Sequence, residues 1–184
     1  AWECTEASIE VVFPTEKTLA TLADSPWCVG MWSPPTPEEG LEAEVVFLNE
    51  GVSSELTSQD VKGKWIYTPG RLDAIRETAA RLEAAGVVSG WLPNKENATD
   101  AQWIQRNTNT PGGWGTKKDE PALVALALSP QDGAALVQWA AEGPVRLRVK
   151  VKSRLYAGTL PLVSALLPGE PGEEEVLLSA PLYG

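Results

Sequence analysis

The sequence predicts an α/β fold in which a mixed sheet of parallel and antiparallel strands is flanked by two main helices. Residues 63–70, 71–85 and 87–93 have the patterns of a strand, an amphipathic helix and a strand with short connections, a unit that favours parallel pairing. The apolar segment 122–129 precedes the second helix. After Pro144 apolar and charged residues alternate, as in VRLRVKV, which predicts C-terminal antiparallel strands. With 184 residues and 43% hydrophobic content, the chain can bury one sizeable core.

The N-terminal quarter of the chain predicts two strands, a helix and a connector. A strand is expected over 8–13, and a helix over 15–23 that begins at the capping residue Thr15. The proline-rich segment 33–40 cannot join a hydrogen-bonded ladder, so it predicts a connector. The segment 42–49 predicts the strand that leads into the strand–helix–strand unit.

Both main helices carry local signals for their apolar faces and their ends. In the first helix, Leu72, Ile75 and Leu82 lie on one stripe. Gly86 follows its last turn, where a left-handed cap is expected. In the second helix, Ser129 is predicted as the N-cap because a proline follows it directly and an aspartate lies three residues further on.

Composition and charge exclude several classes of function. The formal net charge of −10 and the pI near 4.5 argue against a nucleic-acid partner, because no basic patch would offset phosphate repulsion. No apolar run approaches the roughly 20 residues of a membrane helix, so no membrane span is predicted. No basic-then-apolar leader opens the chain, so any signal peptide is expected to have been removed or to lie outside this sequence.

The sequence contains no histidine, which removes several catalytic and metal-binding arrangements from this chain. Ser–His and Cys–His pairs, histidine-containing zinc sites and an imidazole general base are all excluded. The GxSxG, Walker and GxGxxG motifs are also absent. We therefore assign no catalytic, cofactor-binding or metal-binding residue to this chain.

The two cysteines, Cys4 and Cys28, are too few for a disulfide scaffold or a cysteine-only zinc site. Two interpretations remain open. The pair is a disulfide in an oxidising compartment, or it is two buried thiols in a reducing one.

A polar segment over 94–120 is long for a loop in a compact domain, which predicts a functional or mobile segment. Three tryptophans lie in or beside it: Trp91, Trp103 and Trp114. Aromatic side chains on loops can form a recognition surface, because they add contact area at low entropy cost. They can equally pin a loop to its scaffold. We take the three as candidate residues for binding a peptide or a partner.

Two parts of the chain resemble known families. The stretch DVKGKWIYTPG at 60–70, an alanine-rich helix and AAGVVSGWLP at 84–93 resemble the core of the protease-associated domain. The segment 163–181, VSALLPGEPGEEEVLLSAP, resembles the entry into a zinc aminopeptidase domain of the bacterial leucyl-aminopeptidase and glutamate-carboxypeptidase type. In that family the strand leads to the first metal-binding histidine, but here Pro181 stands at that position. The departure reflects either the boundary of a longer protein or the loss of the ligand.

The resemblance implies a fold, a division of the chain and a set of partners. It implies a mixed, partly barrel-like sheet of the protease-associated type over 42–152, preceded by a flanking segment over 1–41. Residues 153–184 would be strands that lead into a peptidase catalytic domain which this chain lacks. Zinc is expected in that domain, with no cofactor in this chain. The implied partners are the adjoining peptidase domain and a peptide or protein substrate, and the implied location is secreted or in the cell envelope.

The function implied by the resemblance is that of a non-catalytic accessory domain, acting in substrate access or in peptide and protein interaction. Two other hypotheses remain. One is an independent peptide- or carbohydrate-binding module that uses the loop tryptophans, and the other is a hydrolase that uses carboxylates such as Asp73 or Asp119. The reading frame downstream of Gly184 would separate the first hypothesis from the others.

Overall fold

The computed structural model describes residues 1–26, 28–57, 59–91, 122–159 and 163–165. Its strands are β1 Trp2–Phe13, β2 Lys17–Thr21, β3 Leu41–Phe47, β4 Trp65–Thr68, β5 Gly86–Ser89, β6 Val124–Ala127 and β7 Arg146–Leu155. Its helices are α1 Ser53–Leu56, α2 Arg76–Arg81 and α3 Pro130–Glu142, and a 3-10 turn at Leu72–Ala74 precedes α2.

The strands form one curled seven-stranded sheet in the order β2-β1-β7-β3-β4-β5-β6. The first half is antiparallel, because β1 pairs with β2 and β7, and β7 pairs with β3. The second half, from β3 through β4 and β5 to β6, is parallel throughout. This architecture confirms the predicted α/β class with a mixed, partly barrel-like sheet and flanking helices. The division at residues 41 and 152 stays a prediction, although strands from both sides of residue 41 belong to this one sheet.

The curl brings the two ends of the sheet together through residues 28–33, which we call the strap. The strap follows β2, at one end of the sheet, and pairs with β6, at the other. The Gly30 amide donates to the Ala125 carbonyl at 2.7 Å, and the Ala127 amide donates to the Cys28 carbonyl at 2.9 Å. The predicted connector after residue 33 continues from this strap without entering a named strand.

Ser33 ends the strap and is buried. Its Oγ donates to the Ala125 carbonyl at 3.3 Å and accepts from the Ala125 amide at 3.1 Å. Its carbonyl accepts from Trp2 Nε1 at 3.0 Å and from Ser153 Oγ at 2.7 Å. One residue therefore ties β6 to the ends of β1 and β7.

The concave side of the curled sheet holds the larger core. Its largest fully buried side chains include Trp65, Ile9, Leu126, Leu147 and, from α3, Leu136. Successive side chains of a strand point to opposite faces, so these residues alternate along their strands with residues of the other face.

A second core lies on the other face of the parallel half, beneath α1 and α2. It contains Leu56 of α1, Ile66 of β4, and Leu72, Ile75 and Ala79 from the α2 region. All residues of β4, β5 and β6 are buried, which is why these strands are continuously apolar in sequence rather than alternating.

The convex face of β1, β7 and β3 carries charge, in what we call the charge ladder. Alternate residues of β7 are cationic: Arg146, Arg148, Lys150, Lys152 and Arg154. The guanidinium of Arg148 lies 2.9 Å from Glu42 of β3, and Lys150 Nζ lies 2.8 Å from Glu6 of β1. Exposed ion pairs of this kind each contribute little to stability. Their alternation instead favours one register of β7 between two acidic neighbours.

The predicted helix over 15–23 is wrong. The segment contains β2, which pairs antiparallel with β1 from Ser8 to Val11. Threonines at 15, 18 and 21 suit a pleated strand better than a helix. Pairing with β1 therefore outweighs the apolar spacing that suggested a helix. The strand predicted over 8–13 is correct but begins earlier, at Trp2.

The helix predicted over 71–85 is shorter than expected, and its cap is different. The 3-10 turn precedes α2, and Glu83 takes the left-handed backbone with φ of 57°. Gly86 is the first residue of β5, so the predicted cap at this position is wrong. A Cβ at Gly86 would overlap the Trp65 ring, so this glycine makes room for the largest core side chain. By contrast, Ser129 caps α3 as predicted, accepting from the Asp132 amide.

Candidate functional site

The carboxyl ends of the four parallel strands meet at one edge of the sheet, which we call the carboxyl edge. The residues that follow β3, β4 and β5 are 48–52, 69–71 and 90–91. In open α/β sheets ligands bind beyond the carboxyl ends of the strands. Trp91, one of the candidate binding residues from the sequence, lies at this edge directly after β5.

Trp91 stacks against an arginine from the neighbouring loop. The Arg71 guanidinium carbon lies 5.5 Å from the centre of the half-buried Trp91 ring, within the range of a cation–π contact. The Trp91 amide donates to Ser89 Oγ at 3.1 Å, and Ser89 Oγ donates to the Gly70 carbonyl at 2.9 Å. The loops after β4 and β5 are thereby joined, and they present one platform of a ring and a guanidinium, the Trp91–Arg71 platform.

The loop after β3 is fixed by the carboxylate of Glu55. It accepts hydrogen bonds from the backbone N–H groups of Asn49 and Gly51 at 2.8 Å each, and from those of Glu50 and Val52 at 3.1 and 3.2 Å. Burial acts to raise the pKa of Glu55, but these bonds to its charged form outweigh it and hold the pKa below the ordinary value. Glu55 therefore orders the loop and is not a proton donor near neutral pH.

A buried tyrosine supports the platform from below. The Tyr67 hydroxyl occupies the space that a Cβ would need at Gly90 or at Gly133 of α3. The Phe47 ring packs on it with centroids 5.4 Å apart. Burial raises the pKa of Tyr67, so its phenol stays neutral. The loop at Gly90 lies close to α3. This contact holds the segment that leads to Trp91.

The two cysteines lie away from the carboxyl edge, and both are free thiols in this structure. Cys4 is half-buried in β1, and Cys28 is fully buried in the strap. Burial, with a smaller contribution from the charge of Cys4, raises the pKa of Cys28 to about 12. Cys28 is therefore a poor nucleophile as a free thiol. A bond between the two sulfurs stays a prediction.

Several candidate residues from the sequence fall outside the described ranges, namely Trp103, Trp114, Asp119 and Pro181. The segment predicted as a recognition loop, 94–120, lies outside them as well. Asp73 lies in the 3-10 turn, and its side chain is not described. In the described part of the chain, no three acidic or cysteine side chains come together as a metal site would require.

Arg71 and Glu55 are site residues that sequence reasoning missed. Glu55 lies three residues after the cap position Val52, the spacing of a capping box, so its role in ordering the loop could have been found. No local pattern marks Arg71, because its partner ring is brought to it by the pairing of β4 with β5.

The fold is similar to that of solved peptidase structures. A peptidase M28 precursor from Shewanella amazonensis SB2B matches 84% of this chain and 36% of its own, with a TM-score of 0.59 and 16% identity. An aminopeptidase from Aneurinibacillus sp. strain AM-1 matches 83% of this chain and 33% of its own, with a TM-score of 0.53 and 18% identity. A zinc aminopeptidase from Bacillus subtilis matches 83% of this chain and 33% of its own, with a TM-score of 0.51 and 14% identity.

At these identities the likeness shows a common fold. This chain spans about a third of the length of each of these peptidases. No protein-family model matches the chain, and no curated protein is significantly similar to it in sequence. Within the described ranges, every helix falls short of the length and hydropathy that a bilayer crossing needs. The chain therefore shares its fold with a part of each of these three peptidases.

Proposed function

We propose that this chain is a non-catalytic accessory domain of the protease-associated type, belonging to a zinc-dependent aminopeptidase. The observation that carries the proposal is the fold. More than four fifths of this chain matches peptidase structures, two of them aminopeptidases, and it does so over about a third of their length. The sequence resemblance at 60–70 and 84–93 supports the same assignment. A chain without histidine is suited to an accessory role rather than to holding the metal.

The surface that we assign to peptide or protein contact is the carboxyl edge around the Trp91–Arg71 platform. The ring offers apolar area, and the guanidinium offers planar donors suited to a peptide carbonyl or carboxylate. The bonds through Ser89 and Gly70 hold this pair in place before any ligand arrives, which lowers the entropy cost of binding. Trp103 and Trp114 remain proposed contact residues.

The proposed partners follow from this assignment. They are an adjoining catalytic domain, which would hold the zinc, and a peptide or protein substrate whose access this domain controls. We also propose a secreted or cell-envelope location, which rests on the sequence resemblance alone.

Two experiments test the proposal. The first follows the gene beyond the codon for Gly184, where we expect an open frame with aspartate, glutamate and histidine at metal-ligand positions. The second measures hydrolysis of leucine p-nitroanilide by the purified chain with added zinc, and we expect no turnover above the metal-only blank. Steady turnover by this chain would refute the non-catalytic assignment. A frame without such ligands would refute the link to a peptidase.

The contact surface is tested by Trp91→Ala in the complete protein, with Trp139→Ala as the matched control. Trp139 is also half-buried, but it lies on α3 beside Lys17. We expect Trp91→Ala to lower kcat/KM for peptides at least about tenfold, equivalent to roughly 1.4 kcal/mol. Trp139→Ala should lower thermal stability and leave kcat/KM of the folded protein unchanged. Equal effects of the two changes on kcat/KM would contradict the assignment.

A further inference from the structure

A groove lies where the curled sheet fails to close completely, between β2 and the junction of β6 with α3. We call it the seam groove. Its volume is about 230 Å³, which is smaller than a typical drug-sized site. Thr18 and Ala20 line it from β2, and Ala127 and Asp132 line it from the other side. The strap closes the sheet at one end of the groove, and the contact of Lys17 with Asp132 at 3.2 Å bridges the other.

The β2 side of the groove is the edge of the sheet. In the part of the chain that the structure describes, β1 is the only strand that pairs with β2. The Thr21 carbonyl is satisfied by the Ser25 amide in the turn that follows. An edge strand presents backbone N–H and C=O groups that another extended backbone can pair with. The groups on this edge therefore suit a partner with an extended main chain.

The charge on the rim favours one kind of extended partner. Asp24 and Asp132 both line the groove. Asp132 forms an ion pair with Lys17. Among the side chains that the structure describes, Asp24 accepts a hydrogen bond only from the neutral hydroxyl of Thr21, at 2.7 Å. A cation near Asp24 would thus complete a charge pair that the described part of the protein leaves unmade. If a peptide runs antiparallel to β2, its N-terminal end lies beside Asp24.

We propose that the seam groove binds an extended peptide segment as an added strand on β2, with a cationic residue at the N-terminal end of that segment facing Asp24. The residues that line this groove are different from those of the Trp91–Arg71 platform. The groove extends the proposed function by a second peptide contact, yet it does not depend on a peptidase, because binding can be measured on this chain alone.

The probe is the peptide acetyl-Lys-Val-Thr-Val-Thr-amide, added to the purified chain. Titration calorimetry gives its Kd, and amide hydrogen exchange locates it. We expect slower exchange in residues 17–21 at saturation. An analogue with alternate backbone amides N-methylated loses the strand pairing, so it should bind at least about tenfold more weakly. Unchanged exchange in 17–21, or equal binding of the methylated analogue, would overturn the proposal.

Variants of the groove test the site independently. Thr18→Arg fills the groove and should abolish binding, whereas the matched control Thr5→Arg, on an exposed threonine of β1 outside the groove, should leave it intact. Asp24→Asn should weaken the lysine peptide several-fold and leave a peptide with glutamine in that place unaffected. If sedimentation reveals self-association that Thr18→Arg abolishes, a second copy of the chain occupies the edge, and the peptide proposal is wrong.

Discussion

Replacing Ser33 with alanine removes one hydroxyl group from the point where the curled sheet closes. The Ser33 carbonyl keeps its bonds from Trp2 and Ser153, because they involve the main chain of residue 33. Only the two contacts of Ser33 Oγ with Ala125 are lost. The substitution therefore tests the connection between the strap and β6 and leaves the other contacts of Ser33 in place.

The size of the expected loss in stability depends on which hydrogen bonds of Ala125 remain after the substitution. Its carbonyl still accepts from the Gly30 amide at 2.7 Å, so that group stays satisfied. Its amide loses Ser33 Oγ at 3.1 Å in a site where Ala125 is only 3% exposed. A buried N–H without a partner costs about 1–3 kcal/mol. We therefore expect a loss of about 2 kcal/mol in the free energy of unfolding, or a fall in Tm of about 4–8 °C for a domain of this size.

Urea denaturation and thermal melting of Ser33→Ala measure this loss, with Ser54→Ala as the control because Ser54 is exposed on α1. Hydrogen exchange adds a local measurement, in which the Ala125 amide should exchange faster in the Ser33 variant. A loss below about 0.5 kcal/mol, the range of ordinary surface changes, would refute the view that this hydroxyl satisfies a buried amide.

Three further predictions concern the core, the loop after β3 and the cysteines. Gly86→Ala should destabilise the fold by about 1–3 kcal/mol through overpacking, because the new Cβ would overlap the Trp65 ring and lie 2.7 Å from the Val124 carbonyl; an unchanged urea midpoint would contradict this. The pKa of Glu55 is lowered in the fold, so its contribution to stability is present above the ordinary value of 4.5 and is lost as pH falls through the lowered pKa. Glu55→Gln should accordingly lower the urea midpoint more at pH 7 than at about pH 3, and equal shifts at both values would refute the role of its charge. In an oxidising compartment Cys4 and Cys28 should be bridged, which would stabilise the fold by about 3 kcal/mol in the chain-entropy model. Intact mass after alkylation without reductant checks this, and two alkylated thiols would exclude the bridge.

Elements with strong local signals could be predicted from the sequence. The start of α3 is fixed by Ser129 and Asp132, which are neighbours in sequence as well as in space. The parallel pairing of β4 and β5 follows from a short helical connection between them. In both cases the residues that decide the structure are close together in the chain.

Features that depend on distant pairing could not be predicted. The segment of β2 has apolar spacing compatible with a helix, and only its pairing with β1 decides otherwise. Ser33 lies in a proline-rich segment, and nothing near it in sequence indicates its contact with Ala125. The same limit applies to the site, where Trp91 could be chosen as an aromatic residue beside the polar segment but its partner Arg71 could not.

The position of β7 in the sheet has a consequence for the order in which the protein can fold. It is the last of the described strands in the chain, yet it lies between β1 and β3 in the middle of the sheet. Until residues 146–155 have left the ribosome, the β1–β2 hairpin and the parallel half lack the strand that joins them. Contacts between segments this far apart in sequence close slowly. The acidic rows on β1 and β3 repel one another in the meantime, which disfavours their direct pairing in the nascent chain.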